Sequence, residues 1–352
     1  MRYHLTAWTV LLVFCFSVTP NLLFCQAEKQ VQAAIVGFYN LENLFDTIDD
    51  AAINDEEFLP DGANRWDSEK YLTKLERLSE VIDAIGKEDT PDGLAVLGIS
   101  EIENISVIED LVNTPRLRPY HFKIVHYDSP DRRGIDVGFI YREKYFEVTN
   151  SASYRLVIRD RPDFRTRDQL VVSGLLLGDP VHIIVNHWPS RRGGEKASRP
   201  LRNAAAGLSR HIADSLLLLD PEAKIIMMGD LNDNPTNESV KLIMRARGDE
   251  QRLRKGDFYN PMYKMYKQGL GSNAWRDTWS LFDQAIVSQG LLGDDYRSLK
   301  FFKAVIFNEG FLIQKEGRYK GYPWRTFGGG VWMGGYSDHF PVYLLLLKEA
   351  GW

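Results

Sequence analysis

The run Ile225-Ile226-Met227-Met228-Gly229-Asp230-Leu231-Asn232-Asp233 changes character in the middle, where four apolar residues give way to a glycine and then to acids and amides. Four consecutive apolar residues bounded by polar ones read as a strand buried on both faces. A hydrophobic core has no use for Asp230 or Asn232, whereas ligand chemistry in α/β sheets collects at strand ends. The same change recurs along the chain. Ala33-Ala34-Ile35-Val36-Gly37-Phe38 runs into Tyr39-Asn40-Leu41-Glu42-Asn43, and Leu94-Ala95-Val96-Leu97-Gly98-Ile99 into Ser100-Glu101. Val181-His182-Ile183-Ile184-Val185 leads to Asn186-His187-Trp188-Pro189-Ser190-Arg191, and Ser337-Asp338-His339 stands just before a last strand, Pro341-Val342-Tyr343-Leu344-Leu345.

Helical patterns separate these strands. Tyr71, Leu72, Leu75, Leu78, Val81, Ile82 and Ile85 recur at three-to-four spacing behind Asp67-Ser68, either of which can cap a helix. Leu201, Ala205, Leu208, Ile212 and Leu216 repeat the spacing. Strands alternating with helices point to a layered α/β fold. The absence of a linker or an internal repeat favours one domain from residue 28 to 352.

The chain has 352 residues, 44% of them hydrophobic and 26% charged, which excludes disordered, collagen-like and disulfide-scaffold classes. Residues 1–27 read as a secretory signal: Arg2, an apolar run from Ala7 to Phe16, and small residues Cys25 and Ala27 at −3 and −1 of a cut after Ala27. A lipid anchor at Cys25 is less favoured, because bulky Leu23 and Phe24 precede it. The expectation is a secreted or periplasmic protein with no membrane span after cleavage. Both cysteines, Cys15 and Cys25, leave with the signal, so disulfides and cysteine metal sites are excluded from the mature chain. Loss of Arg2 leaves 42 basic against 48 acidic side chains, a net charge of −6, which argues against a protein that holds nucleic acid by bulk positive field. An enzyme that only visits a phosphate remains allowed.

Taken singly, each polar strand end has an ordinary explanation as a turn or cap. Together, two acids, two amides and two histidines at strand ends form the inventory needed to hydrolyse a phosphate ester with a hard cation. Carboxylate and amide oxygens suit Mg2+ or Mn2+, with Ca2+ a further option, and no His-Glu-x-x-His spacing favours zinc.

These residues resemble the endonuclease/exonuclease/phosphatase superfamily, in order from Phe38-Tyr39-Asn40 through Glu101, Asn186-His187, Gly229-Asp230-Leu231-Asn232 and Asp283 to Ser337-Asp338-His339. The opening Phe38-Tyr39-Asn40-Leu41-Glu42-Asn43-Leu44-Phe45 and the Asn186-His187-Trp188 element look most like its secreted bacterial branch. The resemblance implies a DNase I-like four-layer α/β sandwich, with two mixed sheets face to face and helices outside, and a monomer. It implies that Glu101, with Asn40 and Asp338, holds Mg2+; that Asp230 deprotonates the attacking water; and that Asn232 donates to a phosphate oxygen. His339, oriented by Asp283, would stabilise charge on the phosphorane, and His187 would be a second histidine on the phosphate or leaving oxygen. Two departures stand out: Ser100 replaces the usual Gln before the metal Glu, and Gln284 follows Asp283 where many relatives have Tyr or His.

The leading expectation is a nuclease acting on DNA or RNA. A phosphodiesterase or phosphatase on a small or lipid phosphate is the alternative, although the inositol-phosphatase element is absent around Trp279 to Gln284. An inactive binding relative is disfavoured because all six principal groups are present. Basic stretches including Arg132-Arg133, Arg165, Arg167 and Arg191-Arg192 are either solvated faces or a rail for phosphates, with Arg191 the leading substrate-binding candidate. The aromatic-glycine loop from Tyr322 to Tyr336 is either packing or a stacking platform.

Overall fold

The computed structural model describes residues 30–351. The leader expected over 1–27 and both cysteines lie outside the described residues. In its first half the chain forms β1 (Val31–Leu44), α1 (Ser68–Ala84), β2 (Leu94–Ile102), α2 (Ile105–Val112), β3 (Lys123–His126), β4 (Asp136–Tyr141) and β5 (Phe146–Tyr154). Then come β6 (Gln169–Leu176), β7 (Asp179–His187), α3 (Glu195–Leu219), β8 (Ile225–Asp230), β9 (Ala246–Arg247), β10 (Phe258–Tyr259) and α4 (Met262–Lys267). The last part holds β11 (Asn273–Trp275), β12 (Thr278–Ser280), β13 (Asp283–Val287), β14 (Lys300–Ile306), β15 (Phe327–Gly328), β16 (Val331–Trp332) and β17 (Val342–Glu349).

A six-stranded sheet in the order β14-β17-β1-β2-β4-β3 faces a seven-stranded one in the order β5-β6-β7-β8-β13-β10-β9. Both are mixed: β1–β2 and β7–β8 are parallel, and most of the other pairs are antiparallel. The expected two-sheet α/β sandwich is therefore present. Side chains alternate across each strand, and the alternation sorts them into layers. Val36, Phe38, Val96, Ile183, Val185, Ile226, Met228, Ala285, Leu344 and Leu346 fill the space between the sheets. Ile35, Leu97, Ile99, Tyr343 and Leu345 turn outward onto α1 and α2, while Ile184, Ile225, Met227 and Ile286 turn outward onto α3.

Helix α1 starts where the sequence allowed, with Asp67 Oδ1 accepting from Lys70 N at 3.0 Å. Tyr71, Leu75, Leu78, Val81 and Ile82 form its buried stripe, but Leu72 points to solvent at 62% exposure. Lys74 takes a place on the buried stripe instead. Among the described residues no helix is long and apolar enough to cross a membrane.

Candidate active site

The period of two that builds the core also builds the site. On β7, β8 and β13 the residues in step with Val185, Met228 and Ala285 are His187, Asp230 and Asp283. Register pairs His187 with Asp230 and Asp230 with Asp283, so the three stand in a row on the inner face. Slipping any of these strands by one residue would turn its polar group into the helix layer. Gly229 makes the register possible, because a Cβ there would meet the Asn186 carbonyl oxygen at 2.1 Å. Asn40, in step with Phe38 on β1, faces this row from the other sheet and donates from Nδ2 to Asp230 Oδ2 at 3.1 Å.

Glu101 arrives differently. It lies at a register shift between β2 and β4 with a left-handed backbone, φ 58°. Glu42, Asn43 and Asn232 also adopt positive φ (50°, 54° and 49°). Such conformations cost about 1–3 kcal/mol each in non-glycine residues and persist where surrounding contacts hold them. Here Glu101 Oε2 accepts from Asn43 N at 3.1 Å, and Asp230 Oδ1 accepts from Asn232 N at 2.9 Å.

His187 Nε2 lies 3.7 Å from Glu101 Oε1 and 3.6 Å from Asp230 Oδ2. His339 Nδ1 is 2.6 Å from Asp283 Oδ2, which also accepts from Ser272 Oγ at 2.5 Å, and its Nε2 is 4.0 Å from Asp230 Oδ2 and 3.9 Å from Asp338 Oδ1. Ser337 fixes this corner by donating to the Asn40 carbonyl at 2.7 Å and accepting from His339 N at 3.1 Å. Asn40, Glu101, His187, Asp230, Asn232, Asp283, Asp338 and His339 thus converge from both sheets and the segment before β17.

The two histidines are in opposite electrostatic states. Burial drives His187 well below the ordinary histidine value, and the nearby Arg167, Arg133 and His339 charges push the same way. Burial also opposes the His339 cation, but Asp283, followed by Asp338 and Asp230, overrides it and holds this imidazole well above the ordinary value. Asp230 is raised to about 7, chiefly by burial, with His339 pulling the other way. Glu42 is also raised to about 7, by burial and the Asp338 charge.

Lys74 and Glu42 also belong to this centre, Glu42 from the opening motif without having been singled out and Lys74 from outside any motif. Lys74 is fully buried, donating to Thr326 Oγ1 at 2.5 Å and the Tyr336 carbonyl at 2.7 Å, and Glu42 accepts from Thr326 N at 2.6 Å. A lysine at a position that the spacing of Tyr71, Leu75 and Leu78 assigns to the core was the available signal.

The donor set fits a hard divalent cation. Ligand atoms of Glu101, His187 and Asp230 lie within 4.8 Å of one another, with the Asn40 amide bonded to Asp230. Five carboxylates, Glu42, Glu101, Asp230, Asp283 and Asp338, meet Lys74 and the His339 cation, an excess of negative charge that a cation would offset.

Several expected residues also make bracing contacts. Asn186 turns to the outer face, where Oδ1 accepts from Trp188 Nε1 at 3.1 Å and Ser209 Oγ at 2.9 Å. Asn232 donates from Nδ2 to the Trp188 carbonyl at 3.0 Å. Arg191 engages two of its three guanidinium nitrogens on the loop after β8: Nε on the Asn232 carbonyl at 2.9 Å, and the other on Asp233 at 3.1 Å and Asn237 at 3.3 Å. The aromatic loop includes packing members, since Phe327 and Trp332 meet Trp66 with ring centroids 6.0 and 5.8 Å apart.

Comparison with known proteins identifies the family and the fold. The profile of the Endonuclease/Exonuclease/phosphatase family matches residues 35–348. No curated relative matches the sequence. Truncated TDP2 from Caenorhabditis elegans superposes with a TM-score of 0.52 at 16% identity, covering 89% of this chain and 97% of that one. An endonuclease/exonuclease/phosphatase family protein from Bacteroides thetaiotaomicron gives 0.52 at 16% identity, over 91% and 100% of the two chains. The mannosyl-6-phosphatase Bt3783 of the same species gives 0.52 at 16% identity, over 89% and 99%. At such identities the superpositions speak for the fold, while the profile match over nearly all described residues speaks for descent. The chain belongs to the endonuclease/exonuclease/phosphatase family, and its chemistry is phosphoric ester hydrolysis.

Proposed function

We propose that this is an exported, divalent-cation-dependent phosphodiesterase of the secreted bacterial branch, a single catalytic domain from about residue 28, whose substrate is nucleic acid. The observation that carries the reading is the row His187–Asp230–Asp283 facing Asn40, Glu101 and His339.

Each group has a task its surroundings suit. Asp230, raised to about 7, is matched as a general base near neutral pH and takes a proton from the attacking water. As the water oxygen bonds to phosphorus, the ester P–O bond opposite it breaks and the alkoxide leaves in line. His339, kept cationic by Asp283, donates to a non-bridging oxygen as charge builds there. His187, kept neutral, offers an uncharged donor beside Glu101 and Asp230. Glu101, Asn40 and Asp338 are the proposed holders of Mg2+ or Mn2+, with His187 and Asp230 the donors that converge on Glu101, and the ion would supply Lewis-acid polarisation of the phosphoryl group.

A second reading is a phosphomonoesterase or phosphodiesterase for a sugar or lipid phosphate. It draws on the net charge of −6 and on the fold shared with a protein described as a mannosyl-6-phosphatase. The test presents supercoiled plasmid, linear DNA, RNA, bis-p-nitrophenyl phosphate and sugar phosphates with Mg2+, Mn2+ or excess chelator. Metal-dependent cleavage of polymer supports the nuclease. Turnover of small esters with intact polymers replaces it by the second reading.

A further inference from the structure

Beside the catalytic row lies a cavity of about 390 Å³ whose arginines come from three separate segments of chain. Arg132 and Arg133 come from the turn before β4, Arg165 and Arg167 from the approach to β6, and Arg192 from the loop after β7. Five arginines thus line one concavity in a chain of net charge −5. The single acid in the wall, Asp131, is already engaged: Arg167 Nη1 lies 3.1 Å from one of its oxygens and Arg133 Nε 3.8 Å from the other. Among the described residues no carboxylate pairs with Arg132, Arg165 or Arg192. A solvated basic face would scatter such groups, whereas these converge and outnumber their acid by five to one.

The cavity shares a wall with the active site. Arg167, 6% exposed, donates from Nε to the His187 carbonyl at 3.2 Å and from Nη2 to the Trp188 carbonyl at 2.5 Å. Pro189 and Ser190, the next residues along, line the opening. Thr166 in the same wall is 4% exposed, and its Oγ1 is buried without a hydrogen-bond partner. The positive field reaches the catalytic row, since Arg167 and Arg133 both act on His187.

We propose that this cavity is a second anion subsite, which takes a non-scissile phosphate of the substrate while the scissile one sits against His187 and His339. Guanidinium groups favour phosphate because their forked donors match its oxygens. Resting on the phosphodiesterase reading, the inference narrows the substrate class to esters with a second phosphate nearby. Single-phosphate sugars and lipids fall outside that class. The second phosphate comes either from the next link of a polynucleotide or from a small bisphosphate.

The test separates binding from catalysis. Binding of fluorescein-labelled oligothymidylate and of inorganic pyrophosphate is measured in chelator for the wild type, for Arg133→Gln/Arg192→Gln, and for Arg252→Gln/Arg254→Gln, a matched charge change near β10. The cavity variant should lose at least tenfold in affinity for the anion that is the true source, while the control keeps it. For the oligonucleotide, the slope of log affinity against log salt should become shallower by about 0.7, one phosphate contact on a single strand. Loss on the oligonucleotide alone assigns the subsite to a polymer, and loss on pyrophosphate as well extends it to small bisphosphates. Where polymer is cleaved, KM for oligonucleotide should rise at least tenfold relative to KM for bis-p-nitrophenyl phosphate. Equal binding by the cavity variant and the control overturns the subsite even if the enzyme cuts nucleic acid. Selective loss in a protein that cuts no nucleic acid overturns the nuclease reading and keeps the subsite.

Discussion

His339 carries the clearest consequence of local electrostatics. Its cation survives burial chiefly because Asp283 lies 2.6 Å from Nδ1, with Asp338 and Asp230 acting in the same direction. Asp283→Asn should therefore let His339 titrate lower, towards the ordinary histidine range, in imidazole NMR spectra, with kcat falling about a hundredfold. A ring that stays cationic at high pH in this variant would show that Asp338 and Asp230 suffice. How much was legible follows from residue geometry. Asn40, His187 and Asp230 could be placed because each sits at the end of an apolar run and in step with its inner face. Asn186, one step out of phase with His187, turns to the outer face and Ser209. Glu101 is out of phase with Val96 and Ser100, and only a left-handed bulge, which no pattern announces, brings it to the centre.

At the scale of elements, α1 was legible as a stripe but not as part of the site. Lys74 was not singled out in the sequence, because its partners, Glu42, Thr326 and Tyr336, arrive from distant segments. Burial lowers this lysine to about 8, and Glu42 and Asp338 are the charges that keep it from falling further. Lys74→Met should destabilise the fold by about 3 kcal/mol in urea unfolding, since it leaves Glu42 buried beside Asp338 without its cation. Adding Glu42→Gln should recover part of that loss. A single variant as stable as wild type would mean that Glu42 is neutral in the fold.

For the whole molecule, alternation of short strands with helices pointed to a layered α/β fold, while the two facing sheets followed from the family resemblance, since alternation alone does not say how many sheets the strands form. The arginine cavity was not legible as a cavity, since its arginines come from three loops whose meeting is set by the sheets. Stability should also depend on pH through Glu103, which burial and the charges of Asp46, Asp55 and Asp50 raise to about 8. The unfolded chain releases this proton near pH 4.5 while the folded one keeps it, so stability falls as pH rises from there towards 8. Glu103→Gln should flatten that decline in Tm; an unchanged slope would place its origin in other groups.

Asp230, at the junction of the two sheets, is the proposed base on which the rest of the chemistry depends. The direct measurement is kcat of wild type and Asp230→Asn on the best substrate at saturating Mg2+, with metal affinity of both proteins followed by calorimetry. A loss of about a thousandfold in kcat, with metal still bound by the variant, is the expected result. An Asp230→Asn enzyme within tenfold of wild type would contradict the mechanism and move the base elsewhere.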